Sequence, residues 1–150
     1  MLFGLWSVGN VRRRRIMREI KFRYVWERPK SGAGPYRPDD DKVKIVHLSL
    51  ADIENHKSTR PLCYPDYLYS LLVARNEYIG LKDKNGKESY HKDITDDNGR
   101  RFTIEWLDDR AQFALIPVGA SRALALPMEC LKNMEVIGNI YENEELLGGK

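Results

Sequence analysis

Tyr78-Ile79-Gly80-Leu81-Lys82-Asp83-Lys84-Asn85-Gly86-Lys87-Glu88-Ser89-Tyr90 sets two strand-like runs on either side of an Asn-Gly pair. Asn-Gly between such runs is the strongest short signal for a tight hairpin, because both central residues of the favoured turn need φ above zero. The signal repeats at Asn98-Gly99, just ahead of residues 101–106. There Phe102, Ile104 and Trp106 alternate with Thr103 and Glu105. A period of two puts the three large side chains on one face, which predicts that face to be buried. Asp108-Asp109-Arg110 turns the chain into residues 111–116, and residues 124–126, a turn after Pro127 and residues 135–141 complete the series. Short strands with turn signals about every ten residues predict a small barrel or sandwich.

Upstream the pattern is mixed. Glu19-Ile20-Lys21-Phe22-Arg23-Tyr24-Val25-Trp26 alternates charged and apolar residues, which predicts a half-buried strand with Ile20, Phe22, Tyr24 and Trp26 facing inward. Residues 29–41 hold prolines, glycines and the run Asp39-Asp40-Asp41, the composition of a solvated loop. Residues 43–48 predict a second strand, residues 49–56 a short helix or turn, and residues 59–66, with two prolines, a connector. Residues 67–77 are ambiguous. Leu68, Leu71, Leu72 and Arg75 have helical spacing, yet the run is aromatic and leads into the strand-like Tyr78-Ile79-Gly80-Leu81. The expected class is therefore mostly β, of α+β type.

The chain has 150 residues, 42% apolar and 31% charged, enough for one domain or two small subdomains sharing a core. No stretch reaches the roughly 18–20 apolar residues that cross a bilayer. The apolar opening Met1-Leu2-Phe3-Gly4-Leu5-Trp6 is followed by arginines rather than a cleavage site, so no secretory signal and a cytoplasmic location are expected. Two distant cysteines, Cys63 and Cys130, fit free thiols in a reducing compartment. The run Arg12-Arg13-Arg14-Arg15 has two readings. One is a basic arm for nucleic acid or membrane. The other is a translated ribosome-binding stretch, since an AGGAGG-type message encodes consecutive arginines. The second is preferred, with the native start at Met17 and residues 1–16 a non-native leader. Without those four arginines the formal charge of +3 becomes −1, and the electrostatic case for a nucleic-acid partner weakens.

Three blocks carry a resemblance. They are Met17-Arg18-Glu19-Ile20-Lys21-Phe22-Arg23, the hairpin sequence from Tyr78 to Glu88 with Tyr90 and Asp93, and Glu135-Val136-Ile137-Gly138-Asn139-Ile140-Tyr141-Glu142-Asn143 followed by Glu145-Leu146-Leu147. Together they resemble the YopX-like family of phage and prophage proteins. The resemblance places the family's usual first residue at Met17. It implies an N-terminal α+β subdomain over residues 17–77, a C-terminal SH3-like small β-barrel over residues 78–147, a tail at 148–150, and oligomers. It implies no reaction. The sequence departs from the family at Ser89, where an apolar residue is usual, and at His91-Lys92, where the family has Glu-Gly. A turn that wants glycine there must accommodate a lysine.

Candidate chemistry is sparse. His47, His56 and His91 form no ligand spacing, so no metal is expected. Aligning Gly86 with the invariant glycine of a calcium loop puts Leu81 where the first carboxylate belongs, which excludes that reading. Neither cysteine sits in a nucleophile motif and no phosphate-cradling glycine loop is present, so no cofactor and no enzyme activity are expected. The preferred function is a non-enzymatic phage accessory protein acting by protein–protein association as a homo-oligomer. The alternative is a nucleic-acid module using Lys82, Lys84, Lys87, Arg100 and Arg101 around the two hairpins. It is disfavoured because Asp83, Glu88, Asp93, Asp96 and Asp97 interleave with them as a mixed-sign surface. A third reading is an oligomer that binds a small nucleotide-like ligand.

Overall fold

The computed structural model describes residues 19–27, 43–55 and 71–148. The expectations for the leader, the start at Met17, the loop at 29–41, the connector at 59–66 and Cys63 lie outside the described residues. Among the described residues eight strands and one short α-helix follow in order: β1 (Lys21–Glu27), β2 (Val43–Ser49), α1 (Leu50–Asn55), β3 (Leu71–Lys82), β4 (Glu88–Tyr90), β5 (Asp93–Asp97), β6 (Arg100–Leu107), β7 (Gln112–Pro117) and β8 (Glu135–Asn139). They make two four-stranded antiparallel sheets, ordered β2-β1-β3-β4 and β7-β6-β5-β8. The protein is mostly β.

Of the ambiguous segment, residues 71–77 are strand, and residues 67–70 lie outside the described residues. β3 pairs with β1 in its first half and with β4 in its second, and it runs unbroken through residues 77 and 78. Gly80, at φ 83, lies where the β3–β4 register slips, a conformation a side chain would resist. From Leu71 on, the helical spacing loses to the pairing energy of a central strand. A register shift opposite Val25 and Trp26 leaves Val73 as an extra residue, and Leu72 and Val73 are both exposed there. α1 begins with a capping box: the Ser49 hydroxyl accepts from the Asp52 N–H at 3.2 Å, and the Asp52 carboxylate accepts from the Ser49 N–H at 2.8 Å.

The core lies in the second half. Ile79, Phe102, Ile104, Leu115, Leu131 and Met134 pack as one cluster, and Leu107, Ala114 and Ile116 as a second. Residues 124–126 do not form the expected strand. A 3₁₀ turn at Arg122–Leu124 replaces its start, leaving one bridge between Leu126 and Leu115.

Two inward faces need correcting. Trp106 does not join Phe102 and Ile104 in the core: it is 38% exposed, and Leu107 is buried instead. It is the penultimate residue of β6, beside the turn at residues 108–111, and it packs edge-on against Phe113 of the paired strand at 5.0 Å. On β1 the interior receives Arg23 and Val25 with Trp26, while Phe22 and Tyr24 are half-buried and Ile20 is 43% exposed.

Candidate functional site

The two sheets enclose an open cleft of about 990 Å³. One wall is β1 and β2 (Lys21, Arg23, Ile45, His47), and the other is β4, β5 and β8 with the turn after it (Tyr90, Asp93, Gly138, Asn139). At its floor Arg23, 4% exposed, donates to the carboxylate of Asp93, 2% exposed, and to the His91 carbonyl at 2.9 Å. The second oxygen of Asp93 accepts from the Tyr90 N–H at 2.8 Å. Burial pushes the Asp93 carboxyl up, and the guanidinium and the N–H oppose that push. Arg23 Nε has no partner. A buried pair of this kind fixes how two elements meet, and losing one member leaves a bare charge in a poor dielectric.

Aromatic rings join the two walls. His47 lies 4.9 Å from Tyr90, Tyr90 lies 5.5 Å from Tyr78, and the Arg23 guanidinium sits 5.3 Å from the Tyr90 centroid. The Tyr90 hydroxyl donates to Glu88 at 2.9 Å, and Lys21 reaches the other Glu88 oxygen at 2.6 Å. Burial, then the Glu88 carboxylate, raises the Tyr90 phenol. Hydrogen bonds to Glu88 and then Glu19 raise the Lys21 ammonium. His47, exposed at the rim, is held below the ordinary imidazole value by partial burial of its ring and then by the Arg23 charge.

The β3–β4 hairpin is tied to β8 by one carboxylate. Asp83, buried, accepts from the N–H groups of Asn85 at 2.8 Å, Lys87 at 2.9 Å and Val136 at 2.9 Å. Burial alone would raise its pKa, but these three donors outweigh burial and hold it low. Lys87 returns the contact, donating to the Val136 carbonyl at 3.0 Å. At the end of β8 the side chain of Asn143, from the turn that follows, accepts from the Asn139 N–H at 3.3 Å and lies so close to Gly138 that a Cβ there would collide with it.

The cations expected around the hairpins fall in two groups. Lys82, Lys84 and Lys87 belong to the β3–β4 hairpin of one sheet, and Arg100 and Arg101 to the β5–β6 hairpin of the other. Lys84 pairs with Glu135 at 3.2 Å, Lys82 stands across from Glu88, Arg100 lies over the Phe102 ring at 5.8 Å, and Arg101 donates to the Leu146 carbonyl at 3.0 Å. Asp83 and Asp93 are not surface charges as expected: both are buried, each held by the donors described above. The sequence offered no local sign of the Arg23–Asp93 pair, whose members stand 70 residues apart. Among the described residues no group of three or more His, Cys, Asp and Glu gathers to hold a metal, and no helix is long and apolar enough to cross a membrane.

The three blocks that carried the resemblance meet in this cleft: Lys21 and Arg23 from the first, Glu88, Tyr90 and Asp93 around the second, Gly138 and Asn139 from the third. No curated protein matches the chain. The model of one protein family, described as YopX protein, matches residues 36–148, so the block at 17–23 lies ahead of the matched region. The match covers most of the chain, which therefore belongs to the YopX family.

Proposed function

We propose that this chain is a phage or prophage accessory protein of the host cytoplasm that performs no catalysis and works by protein–protein association as a homo-oligomer. In this reading residues 78–147 act as an SH3-like barrel behind an N-terminal α+β subdomain. One observation carries the association: the alternating apolar face of β1, with Ile20 43% exposed and Phe22 and Tyr24 half-buried, is left partly open together with Val46 and Leu48 of β2. A face patterned for burial and left partly exposed is a common mark of a contact surface. The test is the mass in solution by sedimentation over a range of concentrations, with absorbance checked for co-purifying nucleic acid. An oligomer free of nucleic acid is expected; a monomer at every concentration would sink the reading.

A second reading has gained support from two observations. Trp106 is open enough to stack on a base, and burial of Asp83 and Asp93 takes two carboxylates off the surface that carries the hairpin cations. A salt titration of DNA and RNA binding tests it. Micromolar binding that weakens in Trp106→Ala and Lys84→Glu would favour this reading over association. The third reading, a small nucleotide-like ligand, would use the cleft.

A further inference from the structure

One face of the first sheet, partly exposed, carries two neighbouring rungs whose composition is self-complementary. In register across β2, β1 and β3, one rung is Leu48, Phe22 and Glu77, and the other is Val46, Tyr24 and Arg75. Directly paired residues of antiparallel strands project from the same face, and Arg75 stacks over Phe22 at 5.4 Å with Phe22 edge-on to Tyr24 at 6.5 Å, so the six side chains form one surface. Arg75 is exposed and the other five are half-buried.

We infer that two copies of this chain pack through that face about a two-fold axis lying in the interface, across the strands at the level of Arg23 and Asn76. The inference rests on the association reading and names its partner and geometry. A two-fold contact sets one patch against itself, so each residue must suit its image. An axis across the strands exchanges the rungs strand by strand. Phe22 then meets the partner's Tyr24, Leu48 meets the partner's Val46, and Arg75 meets the partner's Glu77. An axis along β1 fails the same condition, because it swaps β2 with β3 and sets Leu48 on a glutamate and Val46 on an arginine. Charge and apolarity therefore select the first axis over the second, and select a second copy over an uncharged apolar partner.

The experiment is a charge swap on the full chain, read by sedimentation velocity. Arg75→Glu and Glu77→Arg are each expected to weaken association about tenfold or more, since each sets like charges together, and the double exchange is expected to restore it. A second measurement does not depend on those variants folding well. Val46→Cys and Leu48→Cys chains, mixed and oxidised, are expected to give a cross-linked heterodimer that neither gives alone. A wild-type oligomer indifferent to the single exchanges, with no heterodimer on mixing, overturns this geometry and leaves association standing through another surface. A wild-type monomer overturns both.

Discussion

Lys92 holds its backbone at φ 70, in the left-handed region that disfavours a Cβ, at the position where the resembled family carries glycine. The turn keeps this conformation because Lys92 donates its N–H to the Ile104 carbonyl at 2.9 Å and its ammonium to Glu105. Replacing Lys92 by Gly and by Ala removes the ion pair in both cases, so their difference reads the backbone alone. The glycine variant is expected to be the more stable by about 1 kcal/mol in denaturant titrations; equal stabilities would show that the site carries no strain. Ser89, the other departure, is wholly buried with an unpartnered hydroxyl, which an apolar side chain would not leave. At Arg23 the larger effect is expected. Arg23→Met leaves the Asp93 carboxylate buried without its cation and should cost about 3–5 kcal/mol, while adding Asp93→Leu should recover much of that loss. A double variant as unstable as the single would show that the pair matters for shape and not for charge. Neither residue announced this role, because alternation along β1 marks Arg23 as solvent-facing and nothing within its own strand reveals a partner on β5.

Among the elements, the hairpins were legible because their turn chemistry is local. At Asn98-Gly99 both residues do take positive φ, 51 and 87, and join Asp97 directly to Arg100 as a two-residue turn. At Asn85-Gly86 only Gly86, at φ 81, does so. There the Gly86 N–H donates to the Asp83 carbonyl at 3.0 Å and the Asp83 N–H to the Lys87 carbonyl at 2.9 Å, a longer loop with glycine at its bulge. The same motif thus made two turns, and what separated them was Asp83, whose side chain binds Asn85, Lys87 and β8 at once. Trp106 misled for a different reason: alternation fixes which face a residue takes, while burial depends on how far the covering layer extends. Trp106→Ala is now expected to cost about 1–2 kcal/mol, against about 3–5 kcal/mol for Phe102→Ala in the core. Thermal or denaturant melts of the two variants check the order, and equal losses would place Trp106 back in the core.

Over the whole molecule, the cleft was invisible in the sequence because its walls come from segments far apart in the chain, from Lys21 on one wall to Asn139 on the other, and only pairing brings them together. Its rim makes a pH prediction. The folded state holds His47 below the ordinary value of 6.5, so between that folded value and 6.5 the unfolded chain binds more protons. The stability His47 contributes is present above pH 6.5 and is lost as pH falls through the folded value. Asp83, Glu88 and Glu105, all held below their ordinary carboxylate values, lose theirs only in more acid solution. Denaturant titrations at pH 7.5 and 5.5 should therefore show a loss in the wild type that is smaller in His47→Gln; equal losses would assign the dependence elsewhere. The sheet order β7-β6-β5-β8 has a further consequence during synthesis. β5, β6 and β7 leave the ribosome before β8, so one edge of β5 stays bare while residues 98–134 are translated, about 2–8 s at ordinary elongation rates. A bare edge is a template for any passing strand. Neighbouring nascent chains on one message are the nearest such strands, and slow codons ahead of β8 would lengthen their opportunity to capture it.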